Sequence, residues 1–149
     1  MRSLLAALTA AVLSGGSWAG LGAAPSHFPV QAAATAKSSI VSTGAASYTL
    51  VQHQLDSGTL VQEFVDSSGK VFAVSWSGPF LPDLKELLGP YFDAMAAQGQ
   101  AQGRAAQRSR LTLRSPEVVI VSSGHMGALE GRAWLPSQLP RGFNVRAMP

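Results

Sequence analysis

The chain has 149 residues, a formal net charge of +3 and a charged fraction of only 13%, which excludes a highly charged disordered protein and a strongly basic nucleic-acid binder. It contains no cysteine, and this excludes disulfides, thiol nucleophiles, thiolate metal sites and the lipid-bearing cysteine of a lipoprotein. The length suits one domain with a single hydrophobic core.

Residues 1–19 have the features of a cleavable secretory signal. Arg2 supplies the positive charge, residues 4–13 form an apolar run, and Ser17 and Ala19 are small residues at the two positions that signal peptidase reads. The apolar run is about half as long as a membrane-spanning helix requires. We therefore expect a Sec-type signal peptide, a periplasmic or secreted location, and no transmembrane segment after cleavage.

Residues 20–46 are rich in Ala, Ser, Thr and Gly. This composition predicts an extended low-complexity leader without a core of its own, in which Ile40 and Val41 are compatible with a short edge strand. Residues 47–149 are predicted to form a single domain.

The domain begins with three runs of β-branched and aromatic residues that are separated by turn segments containing Asp and Gly. The runs are 48–55, 59–65 and 70–76. They predict a three-stranded antiparallel meander. In the third run, Phe72, Val74 and Trp76 share a face by the period of two, and we assign that face to the core.

Apolar residues at helical spacing from Leu84 to Met95 predict an amphipathic helix that starts near Pro82 and Asp83. Gly89-Pro90 lies inside this pattern and predicts either a kink or two short helices, the second opened by Pro90. The segment near 96–109 has no large apolar residue and is predicted to be flexible.

Further strand-like runs follow at 110–114, 117–122 and 129–135. The order of elements predicts an α+β fold: an antiparallel sheet, made of the meander plus two or three further strands, with one kinked or split helix packed on a face.

No residue qualifies as catalytic, cofactor-binding or metal-ligating by its motif. His27, His53 and His125 are tens of residues apart, without the short spacing of a zinc site. Nucleophile-elbow, phosphate-loop and dinucleotide motifs are absent from the sequence. Trp76 and Trp134 each end a predicted strand, and we expect them in the core, with a carbohydrate-stacking platform as the alternative. The leading hypothesis is a non-enzymatic periplasmic or secreted binding or accessory module.

Two alternatives remain. His125 follows a strand, as functional loop residues often do, and would serve a cofactor-free hydrolase together with a nearby serine or acid. The segment Arg104–Arg114 contains four arginines and would serve an envelope-surface interaction protein whose partner is an envelope protein or an anionic polymer. Export argues against nucleic acid as the partner.

Several stretches resemble a known family. They are Leu55-Asp56-Ser57-Gly58-Thr59, the run Glu63–Trp76, and Leu88-Gly89-Pro90-Tyr91-Phe92. With these stretches the chain resembles an exported bacterial family known as domain of unknown function 2844. The resemblance implies export and a single domain, and it brings no catalytic residue, substrate or cofactor.

Overall fold

The computed structural model describes residues 19–28, 33–43, 46–106 and 110–149. Within them, seven antiparallel strands form one sheet in the order β1-β2-β3-β4-β7-β6-β5. The strands are β1 (Ala33–Thr43), β2 (Ala46–Leu55), β3 (Leu60–Val65), β4 (Val71–Gly78), β5 (Arg110–Arg114), β6 (Val119–His125) and β7 (Ala128–Trp134). The predicted antiparallel α+β fold is confirmed.

The predicted meander corresponds to β2, β3 and β4. Gly58 and Gly69 have φ angles of 85° and 83° in the two connecting turns, a conformation that glycine adopts without steric cost. Strand β4 then pairs with β7, and this pairing joins the two β regions of the sequence into one sheet.

The expectation that Phe72 shares a face with Val74 and Trp76 is wrong. A register shift between Phe64 and Val65 leaves Phe72 as an extra residue opposite β3. Such a β-bulge turns its side chain to the other face of the sheet. Val74 and Trp76 therefore pack on one face, and Phe72 packs on the opposite one.

The predicted helix is split, as Gly89-Pro90 indicates. Helix α1 (Leu84–Leu88) is followed by a 3-10 turn (Gly89–Tyr91) and then by α2 (Phe92–Ala106). The Asp83 carboxylate caps α1 by accepting the N–H groups of its first turn. Helix α2 extends into the segment predicted to be flexible, with a break in helical geometry at Gly103, and residues 107–109 lie outside the described residues.

The sheet has two covered faces. On the helix face, Leu87, Leu88 and Met95 pack against strand residues such as Val74 and Ile120. On the other face, which we call the C-terminal face, residues of the last segment of the chain cover an aromatic cluster on the strands. That cluster and its cover contain Tyr48, Phe64, Phe72, Phe143 and Met148.

Residues of the predicted leader form part of this architecture. Leu21 is completely buried in the core of the helix face, and β1 is the edge strand beside β2. Residues 1–18, which hold most of the predicted signal, lie outside the described residues. No helix in the described part of the chain combines the length and apolar character needed to cross a membrane.

Candidate functional site

A buried carboxylate, Glu63, lies on the helix face of β3. Its side chain is 0% exposed, and a buried charge requires partners. The Ser26 N–H donates to both carboxylate oxygens at 3.0 and 3.1 Å, and the Ser26 hydroxyl donates to Oε1 at 2.8 Å. His53 Nε2 lies 3.1 Å from Oε2, and Phe28 packs edge-on against the His53 ring. We call Ser26, His53 and Glu63 the Glu63 cluster.

The Glu63 cluster contains the residue types of a hydrolytic triad in the wrong order. In a serine hydrolase the imidazole lies between serine and acid, because it must accept the serine proton. Here the carboxylate lies in the middle, and the Ser26 hydroxyl donates to it directly. His53 is only 7% exposed, so its ring is largely shielded from solvent. The arrangement suits a structural role. The Glu63 cluster acts as a clasp, which fixes the segment containing Ser26 to the sheet.

The clasp holds residues 19–28, which we call the strap. The Leu21 N–H donates to the Leu87 carbonyl at 2.9 Å, the Gly22 N–H donates to the Val71 carbonyl at 2.8 Å, and the Val71 N–H donates to the Ala23 carbonyl at 2.8 Å. These bonds connect the strap to both α1 and β4. The residues directly after the predicted cleavage position are therefore an integral part of the core.

The remaining histidines lie apart from the Glu63 cluster. His125 is exposed at the end of β6, and in the described part of the chain its ring makes no hydrogen bond to a hydroxyl or a carboxylate. His27 is exposed, and its backbone N–H donates to the Glu86 carboxylate at 3.1 Å. Across the described ranges, no group of three or more His, Asp or Glu residues is placed to hold a metal ion.

Trp76 and Trp134 belong to the two cores. Trp76 is 1% exposed on the helix face, and Trp134 packs half-buried against the aromatic cluster of the C-terminal face. The buried Trp76 ring cannot form the stacking platform that was the alternative, whereas part of the Trp134 side chain stays exposed.

Polar side chains cross the C-terminal face beside the aromatic cluster. Cross-strand partners connect them from one edge of the sheet to the other. One row contains Lys37, Gln52, Gln62, Ser75, Arg132, Val121 and Thr112, and the next contains Gln54, Leu60, Ser77, Glu130, Ser123 and Arg110. Gln62 and Ser75, in the middle of the first row, are buried, and the Ser75 hydroxyl donates to Gln62 Oε1 at 3.3 Å. Most of the other side chains can donate or accept hydrogen bonds.

Two grooves lie on these rows. One, of about 300 Å³, is lined by Lys37, Gln52, Gln54 and Leu60. The other, of about 160 Å³, lies near Arg110, Glu130 and Arg132. The last residues of the chain lie between the two grooves. There, Arg132 Nη1 donates to the Met148 carbonyl at 3.3 Å.

Charge is segregated between the two sides of the molecule. On the C-terminal face and its covering segment, the described side chains include six basic residues and one acidic residue. They are Lys37, Arg110, Arg114, Arg132, Arg141 and Arg146, with Glu130. On the helix side, Asp83, Glu86 and Asp93 outnumber Lys85. Of the predicted arginine segment, Arg110 and Arg114 are exposed on this basic face, while the side chains of Arg104 and Arg108 lie outside the described residues.

One family profile matches most of the chain. The profile described as protein of unknown function (DUF2844) matches residues 17–148. The chain belongs to the DUF2844 family. The match includes the strap, the Glu63 cluster and both grooves, and it confirms the family resemblance seen in the sequence. No curated protein and no solved structure matches this DUF2844 chain significantly.

The Glu63 cluster was missed in the sequence analysis, although two of its three residues had a signal there. The turn at Asp56–Gly58 sets the hairpin register, in which His53 lies opposite Val61. Glu63 is then the diagonal neighbour of His53 on the same face, close enough to interact. Ser26 is 37 residues away from Glu63 in sequence, and no local pattern connects the two.

Proposed function

We propose that this DUF2844 protein is an exported, non-enzymatic binding module that holds an anionic polymer of the cell envelope against its C-terminal face. The observation that carries the proposal is the segregation of basic side chains onto that face. Clustered charge of one sign raises the local concentration of oppositely charged ligands and speeds their association.

The groups between the cations fit a polymer that also carries hydroxyls. Gln52 and Gln54 lie beside Lys37 in the larger groove, and each amide both donates and accepts hydrogen bonds. Arg110 and Arg132 lie beside the smaller groove and offer planar donors that match carboxylate geometry. An acidic polysaccharide supplies both kinds of partner.

Export and the absence of catalysis are supported by separate features. The signal pattern of residues 1–19 supports export into the periplasm or beyond. The Glu63 cluster is buried with the carboxylate between serine and histidine, and this order favours a structural role. The exposed His125, in the described surroundings, gives no support to the hydrolase alternative.

Binding to an immobilised acidic polysaccharide tests the proposal. Polygalacturonate serves as the probe, and uncharged dextran as the neutral control. The protein, purified after export, should bind polygalacturonate and not dextran. The affinity should fall as salt rises from about 0.01 M to about 0.15 M, since the Debye length shrinks from about 30 Å to about 8 Å.

Matched variants locate the surface. A cation beside an anionic surface contributes about 1 kcal/mol, so Arg110→Gln and Arg132→Gln should each weaken binding about fivefold. Lys85→Gln, on α1, removes the same charge from the opposite side and should leave binding unchanged. Equal losses of affinity in all three variants, or an affinity that does not depend on salt concentration, would refute the proposed surface.

A further inference from the structure

The two edges of the sheet differ in how they are protected against pairing with another strand. An edge strand offers unpaired N–H and C=O groups, and proteins shield such edges with short strands and charges. Strand β5 is five residues long and carries exposed arginines at both ends, Arg110 and Arg114. Strand β1 is eleven residues long.

Strand β1 has few of these protective features. Lys37 is its single charged residue, and it contains no proline. Its Ile40 side chain is 80% exposed, and β-branched residues at Ile40 and Val41 favour strand pairing. Within the described ranges, β1 pairs with β2 on one side and with no strand on the other.

We propose that the outer edge of β1 pairs antiparallel with β1 of a second copy of this chain, centred on Ile40. The two exposed isoleucines then lie directly opposite each other, where apolar cross-strand pairs stabilise a sheet. A contact of this kind is self-complementary and closes as a two-fold dimer.

Antiparallel pairing keeps the charged Lys37 side chains of the two copies apart. In antiparallel pairing about Ile40, each Lys37 lies opposite position 43 of the other copy, and the two lysines are about 20 Å apart along the strands. Parallel pairing of the same two edges would instead turn one copy over, so that the two C-terminal faces would lie on opposite sides of the sheet. Antiparallel pairing also keeps the C-terminal faces of both copies on the same side of one continuous sheet.

Single cysteines test the pairing, because the chain has none of its own. Opposite residues of antiparallel strands have Cα atoms about 4.5–5.5 Å apart, within the range of about 4.4–6.8 Å that a disulfide allows. The full exported protein carrying Ile40→Cys should therefore form a covalent dimer under mild oxidation.

Matched cysteines on the same strand provide the control. Ser38→Cys and Ser42→Cys are also exposed on β1. In the proposed register each would lie about 14 Å from its own copy, too far for a disulfide, so both should stay uncrosslinked. The double variant Ser38→Cys/Ser42→Cys should crosslink, because position 38 lies opposite position 42.

The association state without cysteines provides a second test. Sedimentation of the exported protein should show a dimer as concentration rises. Ile40→Lys should shift it to monomer, because two ammonium groups would face each other, whereas Met126→Lys, at the 98% exposed tip of the β6–β7 turn, should not. A monomer at every concentration, or equal crosslinking at all three cysteine positions, would overturn the proposal.

Discussion

Asp66 shows how one side chain organises a turn of the sheet. Its carboxylate accepts hydrogen bonds from the Ser68 N–H at 2.8 Å, from the Ser68 hydroxyl at 2.6 Å and from the Lys70 N–H at 3.1 Å. Partial burial raises the pKa of Asp66, but the bonds from Ser68 and Lys70 and the Lys70 charge outweigh it. The pKa of Asp66 therefore lies below its ordinary value.

This direction predicts a pH dependence. Because the folded pKa is lowered, ionised Asp66 stabilises the fold above the unfolded pKa of about 3.9, and this contribution is lost as the pH falls through the folded pKa. Asp66→Asn should lower the free energy of unfolding at neutral pH, and its difference from wild type should shrink in acid. Urea unfolding over a pH series measures this, with Asp56→Asn in the preceding turn as the control. A difference independent of pH would contradict the account.

Glu63 predicts a larger effect on stability. Glutamine keeps the shape of Glu63 but loses one acceptor oxygen and the charge that faces Ser26 and His53. Leaving buried hydrogen-bonding groups unpaired costs about 1–3 kcal/mol, so Glu63→Gln should lower the free energy of unfolding by about 2 kcal/mol. Glu130→Gln, at an exposed position on the C-terminal face, should change it by less than about 0.5 kcal/mol. Similar values for the two variants would show that the Glu63 cluster is not a clasp.

The Glu63 cluster could be predicted only in part from the sequence. The hairpin turns predict that His53 and Glu63 share a face, since register follows from the turn. Their burial depends on the strap, and the strap was predicted to have no core. Only the folded chain brings Ser26 to Glu63.

Strands β4 and β7 fit together because Gly131 has no side chain where the Trp76 ring packs. Trp76 lies opposite Gly131, and a Cβ on Gly131 would overlap the indole ring. Overpacking of a core costs about 1–3 kcal/mol, so Gly131→Ala should destabilise the protein by that amount in urea unfolding. The smaller ring of Trp76→Phe should recover part of the loss in the double variant. Simple additivity of the two substitutions would contradict the proposed contact.

The strap predicts a contrast between two glycines. Gly20 and Gly22 have φ angles of 95° and 86°, so alanine is strained at either position by about 1–2 kcal/mol. A Cβ at Gly20 would also overlap the Glu86 carbonyl oxygen, whereas at Gly22 the nearest atom, on Leu135, is 3.5 Å away. Gly20→Ala should therefore expose the strap to limited proteolysis more than Gly22→Ala. Equal cleavage rates would show that the close approach is unimportant.

At this scale the sequence predicts local elements well and their arrangement poorly. The meander, the split at Gly89-Pro90 and the later strands follow from residue patterns within each segment. The bulge at Phe72 and the pairing of β4 with β7 arise from contacts between distant segments. The length of β1 exceeds what Ile40 and Val41 indicate, because backbone pairing with β2 extends it through alanine and serine.

Among the described side chains, one side of the molecule is basic and the other is more acidic. The sequence shows Arg110 and Arg114 close together but not their companions on this face, since Lys37, Arg132 and Arg146 come from distant parts of the chain. The order of strands and the path of the last segment bring them to one face. Net charge alone, at +3, hides this separation.

Chemical labelling of the lysines tests the central proposal most directly. The chain has three, and each lies in a different place: Lys37 on the C-terminal face, Lys70 in the β3–β4 turn and Lys85 on α1. All three are exposed, so an amine-reactive reagent followed by mass spectrometry reports each one separately. With polygalacturonate bound, the labelling rate of Lys37 should fall and that of Lys85 should not change. Protection of Lys85 with Lys37 unprotected would contradict binding on the C-terminal face.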